Sequence, residues 1–247
     1  MFKKLFTQFS DSFNAPLAPE SPVFVIGDLH GCSRQLYHLL YAMDAKDPAA
    51  YKVFVGDFID RGDNSKSVLN TLWRMQQNPR VVCLRGNHED MMLQFLSRPS
   101  SKTSRWLRHG GLNTMGSYAL NAIPHNSAEP VLKEAAQGLK KTMGAPMLSW
   151  LKSLPVWWQS GNLVVTHAGA DPTLPMNMQA DSSFLWGHRD FLNNTRSDGI
   201  WVAHGHTVVD EPSIASGRIA VDTGAYATGR LTAAYTTSGK VEFLHAT

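Results

Sequence analysis

Three short stretches of the chain close an apolar run with side chains able to hold a metal ion. "VFVIGDLHG" ends in Asp28 and His30, "VFVGDFIDRG" in Asp57, Asp60 and Arg61, and "VVCLRGNHED" in Arg85, Asn87, His88 and Glu89. A fourth run, "LVVTH", delivers His167, and a fifth, "IWVAHGHTVVD", carries His204 and His206 on either side of a glycine. Carboxylate, imidazole and amide oxygen are hard or borderline donors. Without thiolate, such a set suits Mn2+, Fe or Zn2+ and differs from a structural cysteine–zinc site. A carboxylate such as Asp57 can bridge two ions, and two ions roughly 3.5–4 Å apart clamp phosphorus for in-line displacement and acidify a bound water. Glycine beside each donor lets the backbone approach closely. One such strand end says little, because an aspartate after a strand is often only a helix N-cap. Three repeats of apolar run, glycine and metal-capable side chain form a pattern.

The elements around these residues must bring them together. Residues 23–26, 52–56, 81–84 and 163–167 read as short buried strands, rich in β-branched residues and bounded by Gly, Asp or Asn. Between them lie helical spacings. Arg34–Met43 sets Leu36, Leu39, Leu40 and Met43 on one face, Ser65–Gln77 sets Val68, Leu69, Leu72 and Trp73, and Glu89–Leu96 sets Met92, Leu93 and Leu96. This strand–helix alternation predicts an α/β domain with mainly parallel pairing in its first half. In such a sheet the C-terminal strand ends share one edge, where ligands bind. Past residue 200 the rhythm changes. "IWVAHG", "RIAVD", "LTAAYT" and "VEFLH" follow closely with turn residues between them, which implies a second sheet or an antiparallel extension of the first. Residues 97–160 read as an insertion over one face, with two modest helices near 130–141 and 146–152.

Composition narrows the function classes. With 247 residues, 43% of them hydrophobic and 17% charged, the chain can build a sizeable core. Its net charge of +3 is scattered along the sequence. It favours anionic ligands only weakly, and no basic stripe interleaved with aromatics marks a nucleic-acid partner. The two cysteines, Cys32 and Cys83, do not make a disulfide framework, which points to a reducing, cytoplasmic setting. No apolar run approaches the roughly 18 residues of a membrane span. The first residues, with Phe2, Leu5, Phe6 and Phe9 spaced for one helix face, read as a frayed tail or a short docking helix. The expected organisation is a tail over 1–21 and one domain over 22–247.

"GDLHG", "GDFIDRG" and "GNHE" together resemble the signature blocks of the phosphoprotein phosphatase branch of the calcineurin-like metallophosphoesterases. The likeness continues through "VTHAGA", "AHGHTVV" and "VDTGAYATGRLTA". "WLRHGGLNTMGSYAL" and "LWGHRDFL" are similar to the bacterial serine/threonine phosphatases of that branch, relatives of the bacteriophage lambda phosphatase. The resemblance implies a two-sheet β-sandwich flanked by helices. It implies two divalent metal ions, Mn2+ foremost, with Fe or Zn2+ also suited. Asp28 and His30 would hold the first ion, Asp57 would bridge, and Asn87, His167 and His206 would hold the second. Arg61 and Arg85 match phosphate-gripping arginines, His88 matches the proton donor to the leaving oxygen, and Asp60 matches the carboxylate that orients it. Attack by a metal-bridging hydroxide on a phosphorylated protein or peptide would follow.

Two departures bear on these roles. Relatives tend to place an arginine after "LW-x", as a further phosphate contact. Here the segment is "LWGHRDF", and Arg189 is favoured over His188 because only guanidinium stays charged and forked at every pH. Many metallophosphoesterases also read G-H-x-H where this chain has Gly205-His206-Thr207-Val208. In that frame His206 is the metal ligand, and His204 is a core or supporting residue that would share a strand face with it. The nearest rival activity is symmetrical hydrolysis of dinucleoside tetraphosphates. As a group those enzymes tend to carry "GNHD" and to lack the "DRG" aspartate, both of which differ here.

Overall fold

Along β1 (Val23–Ile26), Val23 and Val25 point to one side, Phe24 and Ile26 point to the other, and all four are fully buried. A strand with two apolar faces must be covered on both sides, and this one is. The structure, a computed structural model, describes residues 13–247. The helical spacing at Phe2–Phe9 lies outside the described residues. The further strands are β2 (Tyr51–Phe54), β3 (Val81–Cys83), β4 (Trp157–Ser160), β5 (Leu163–Thr166), β6 (Trp201–His204), β7 (Ser213–Ala215), β8 (Arg218–Ala220), β9 (Leu231–Thr237) and β10 (Lys240–Ala246). They form two five-stranded sheets, ordered β10-β9-β1-β2-β3 and β4-β5-β6-β8-β7.

Both continuations expected past residue 200 occur. β9 pairs antiparallel to β1, with Ile26 opposite Ala233, and β10 closes a hairpin on it. β6 and β8 run parallel beside β5 in the second sheet. The parallel pairing expected in the first half is present as β1-β2-β3. Val23, Val25, Val53, Val55 and Leu84 meet Leu163, Val165, Ala203 and Ile219 between the sheets, as in a β-sandwich. The opposite face of the first sheet packs on α1 (Ser33–Lys46), α2 (Ser65–Met75) and α3 (Asn87–Ser97) through Leu36, Leu39, Val68, Leu72, Met92 and Phe95. The outer face of the second sheet is covered by Phe184, Leu185 and Phe191.

The segment read as an insertion divides in two. A short helix α4 (Leu112–Ser117), then α5 (Glu129–Met143) and α6 (Ala145–Ser153), join the helical side of the first sheet. β4, by contrast, is an edge strand of the second sheet, so 97–160 is not all insertion. α7 (Asp181–Trp186) and the four-residue α8 (Ala225–Thr228) complete the α-helices among the described residues. Part of the expected tail is also built in. Leu17 is buried in the sandwich core, Asn162 bonds the backbone of both Pro16 and Ala18, and Phe13 lies edge-on to Trp201 at 5.0 Å. Among the described residues no helix is long and apolar enough to cross a membrane.

Candidate active site

The loops leaving β1, β2, β3, β5 and β6 carry the candidate side chains, and their backbones are bent to do so. Seven described non-glycine residues have positive φ, and five of them are candidates: His30 (39°), Asp57 (52°), Asp60 (73°), Arg61 (65°) and His206 (62°). Each such conformation costs roughly 1–3 kcal/mol and persists only where the surroundings enforce it. The concentration of strain in one place marks these turns as positioned. Two glycines permit the closeness. A Cβ on Gly205 would meet Asp28 Oδ1 at 2.0 Å, and one on Gly86 would meet Asp57 Oδ1 at 2.2 Å.

Asp57 sits between two groups of donors. Its Oδ2 lies 3.5 Å from His30 Nε2, and its Oδ1 lies 3.4 Å from His167 Nε2. His167 Nε2 is 2.8 Å from Asn87 Oδ1, and His206 Nδ1 is 3.2 Å from each of them. His30 Nδ1 faces the Ile59 carbonyl at 2.7 Å, so it donates there and leaves Nε2 with its lone pair. That Nε2 is buried and has no hydrogen-bond partner among the described residues. A histidine that ligates a metal typically gives its other ring N–H to a carbonyl in this way. Burial lowers His30 to about 3 and His167 to about 4, and it also lowers His206, so all three favour the neutral, ligating imidazole. Burial works to raise the Asp57 carboxyl. The surrounding imidazoles of His167, His88 and His30, with the His88 backbone N–H on Oδ1, outweigh it and hold the group below the usual carboxylate range. The donor set and the bare Nε2 fit divalent cations.

Asp28 meets this group through the His206 backbone. Its two oxygens accept the His206 backbone N–H at 3.1 and 3.2 Å, which ties the first strand end to the fifth. Burial, then the charges of Asp222 and Asp57, push the Asp28 carboxyl well up. Among the described residues, the groups of His, Cys, Asp and Glu close enough to hold one ion are His30 with Asp57 and His88, and Asp57 with His167 and His206; Asp28 belongs to neither.

His88 makes a different contact from the other imidazoles. Its Nδ1 lies 2.6 Å from Asp60 Oδ2, and Asp60 is fully buried. Two further donors hold that carboxylate, Trp106 Nε1–H on Oδ2 at 2.8 Å and the Thr114 hydroxyl on Oδ1 at 2.6 Å. Burial opposes the imidazolium of His88, but the Asp57 charge and the Asp60 hydrogen bond outweigh it and raise its pKa. Arg61 Nη2 stands 3.3 Å from His88 Nε2. The guanidinium also lies over the Tyr226 ring at 4.6 Å, and that ring meets His30 edge-on at 5.3 Å. The Arg61 backbone is packed against Gly110, whose φ of 104° only glycine adopts freely, and a Cβ there would meet Arg61 N at 2.5 Å.

Several expected residues lie elsewhere. Arg85 is half-buried and lines a cavity beside α3, with its Nε buried and unpartnered. Arg189 is not brought to the cluster. Its side chain is 88% exposed and pairs with Asp190 at 3.5 Å, while His188 turns toward Asp171 and Asp190 at 3.6 and 3.8 Å. His204 does not share a face with His206. β6 ends at His204, and the positive φ of His206 turns its ring into the cluster while His204 stays buried edge-on to Phe191 at 4.9 Å. Glu89 points inward, where its carboxylate accepts the backbone N–H groups of Asp57, Phe58 and Gly86 at 2.8–2.9 Å. Sequence reasoning missed Thr114, the donor role of Trp106, and Asp222, which is buried and pushed up to about 6 by burial. The only signal for Asp222 was its place after another strand, in "AVDTG".

Comparison with known proteins agrees with this construction. The calcineurin-like phosphoesterase family matches residues 21–210. The chain is similar to the asymmetrical bis(5'-nucleosyl)-tetraphosphatase PrpE of Geobacillus thermodenitrificans, with 27% identity over 232 residues, covering 85% of this chain and 88% of that protein. A solved structure provisionally named a diadenosine tetraphosphatase superposes with a TM-score of 0.64 at 20% identity, covering 95% of this chain and 99% of the other. A cold-active protein-tyrosine phosphatase of a psychrophilic Shewanella species superposes at 0.59 with 18% identity, over 91% of this chain and 80% of the other. With its strand ends, its two-sheet core and more than half its length accounted for, the chain belongs to the calcineurin-like phosphoesterase family.

Proposed function

We propose that the protein is a metal-dependent phosphomonoesterase, specifically a serine/threonine protein phosphatase, in which His88 protonates the leaving oxygen and Asp60 orients His88. The observation that carries this reading is the 2.6 Å contact between His88 Nδ1 and Asp60 Oδ2, beside a cluster of metal-capable donors. Asp28, His30 and Asp57 would hold one divalent ion, and Asp57, Asn87, His167 and His206 the other, Mn2+ foremost with Fe or Zn2+ also suited. Ions held there would neutralise phosphoryl charge and acidify the attacking water.

The chain's own residues supply the rest. A phosphate monoester is a dianion whose oxygens need cationic partners during transfer. Arg61, beside His88, would grip it, whereas Arg85 lines the cavity beside α3 and is turned from this role. Serine and threonine alkoxides are poor leaving groups, so a general acid contributes about 10²–10⁴-fold. Asp60 fixes the proton on Nδ1, which directs the Nε2 proton to the substrate. Burial pushes the Asp60 carboxyl up, and the hydrogen bonds from His88, Thr114 and Trp106 oppose that rise and hold the group still.

One observation favours a second reading. The curated relatives carry the name of an asymmetrical dinucleoside tetraphosphatase, whereas the rival read from the sequence was the symmetrical enzyme. A nucleotide phosphate leaves as a stable anion and needs a general acid less than an alkoxide does, so the His88–Asp60 pair supports the monoester reading. Rates on a phosphoserine peptide and on diadenosine tetraphosphate with Mn2+ separate the two. The monoester reading expects the higher kcat/KM on the peptide, and a clear preference for the tetraphosphate overturns it.

A further inference from the structure

A cavity of about 640 Å³ lies along the outer side of α3, between the 98–103 segment and the end of α6. That volume is within the roughly 300–1,000 Å³ of small-ligand sites. Arg85, Arg98, Lys102 and Lys152 line it, against the single carboxylate of Asp90. Asp90 already accepts a hydrogen bond from Gln94 Nε2 at 2.7 Å. Among the described residues, none of the four cationic side chains makes a hydrogen bond or an ion pair, and Arg85 Nε is buried without a partner. Cations crowded without protein anions create a field that concentrates a negative ligand. Arg85 stands two residues before Asn87, so the turn from β3 into α3 carries both a lining residue of the cavity and a donor of the metal-capable cluster. The Arg85 backbone N–H is fixed to the Pro155 carbonyl at 2.8 Å, which holds this rim in place.

We infer that this cavity binds a second phosphoryl group of the substrate molecule whose first phosphoryl group lies at the Asp57-centred cluster. This rests on the phosphoesterase reading above and narrows its substrate class to molecules with two or more phosphates. The shared chemistry is a phosphate oxyanion met by guanidinium and ammonium groups. It has two sources, the phosphate chain of a dinucleoside polyphosphate or a second phosphorylated residue in a peptide.

The test is the double variant Lys102→Ala/Lys152→Ala, which changes two exposed side chains. KM is measured with Mn2+ on p-nitrophenyl phosphate, diadenosine tetraphosphate, and singly and doubly phosphorylated peptides. The inference expects KM for a multiply phosphorylated substrate to rise about tenfold relative to its singly phosphorylated counterpart. A relative rise with the tetraphosphate identifies the nucleotide source, and one with the doubly phosphorylated peptide identifies the peptide source. Equal changes for single and multiple phosphates overturn the inference. Calorimetric titration with inorganic tripolyphosphate reads the cavity without turnover. Absence of p-nitrophenyl phosphate hydrolysis would therefore count against the phosphoesterase reading alone. Wild-type protein should bind tripolyphosphate about tenfold more tightly than the double variant, and equal binding overturns the inference.

Discussion

His88 Nδ1 lies 2.6 Å from Asp60 Oδ2, and the two residues come from different strand ends, 28 positions apart. The pair leaves Nε2 as the nitrogen of His88 that faces Arg61 and Asp57, and in the proposed reaction it bears on the pH range in which that nitrogen carries a proton. The His88 pKa is raised, with the Asp57 charge and the Asp60 contact overcoming burial. A raised imidazole pKa keeps the acid form present further into the alkaline range and loses it as pH climbs through the raised value. Removing the Asp60 charge should lower that pKa, so Asp60→Asn should move the alkaline limb of the kcat profile to lower pH. A profile whose alkaline limb stays in place would mean that another group sets it.

The donors behind Asp60 make a graded version of this test. Trp106→Phe keeps an aromatic ring in a fully buried position and removes the Nε1–H that reaches Asp60 Oδ2, along with part of the indole. kcat should fall several-fold with KM little changed, and the alkaline limb should shift. Thr114→Val removes both a donor to Asp60 Oδ1 and an acceptor of the Asp60 N–H. The Asp60 N–H keeps Ser65 Oγ at 3.1 Å, but leaving the buried Oδ1 unpaired should cost about 1–3 kcal/mol, visible as a lower urea midpoint. Trp106→Phe with an unaltered pH profile would reduce Trp106 to a packing residue.

The strand ends were legible because each is an apolar run followed by glycine and polar groups, a local pattern. β1, β2, β3 and β5 fall within one or two residues of their expected spans. What the sequence did not reveal is non-local. Trp106 and Thr114 reach Asp60 from 46 and 54 residues away, and no local spacing announces such a contact. β4 is a "WWQS" edge strand whose polarity hides it inside a segment read as insertion. Of the two continuations left open past residue 200, the one β9 takes was not legible locally, because its partner β1 lies some two hundred residues earlier in the chain. The expected common face of His204 and His206 failed because the strand stops at His204 and the next turn enters left-handed φ.

Glu89 belongs to the "GNHE" block, yet it contacts backbone instead of the cluster. Its two oxygens accept N–H groups from Asp57, Phe58 and Gly86, clamping the second strand-end loop to the third. Glu89→Gln would turn an amide NH2 toward at least one backbone donor. We expect a loss of about 1–3 kcal/mol in stability and weaker metal retention, because the Asp57 loop is released. Unchanged thermal stability and metal content would remove Glu89 from the account.

The two histidines of "AHGHT" should separate cleanly. His206 Nδ1 is 3.2 Å from both Asn87 Oδ1 and His167 Nε2, whereas His204 packs on Phe191. His206→Ala should strip metal measured by elemental analysis. His204→Ala should keep metal and lose only packing stability. Equal metal loss in the two variants would contradict the placement of His206.

The central claim, that His88 is the proton donor and not a ligand, is met most directly by one paired measurement. Metal content and kcat on a phosphoserine peptide are determined for the wild type and His88→Asn in the same Mn2+-supplemented preparation. The account predicts full metal content with kcat lowered about 10²–10⁴-fold. Loss of metal from His88→Asn, or a kcat near that of the wild type, would contradict it.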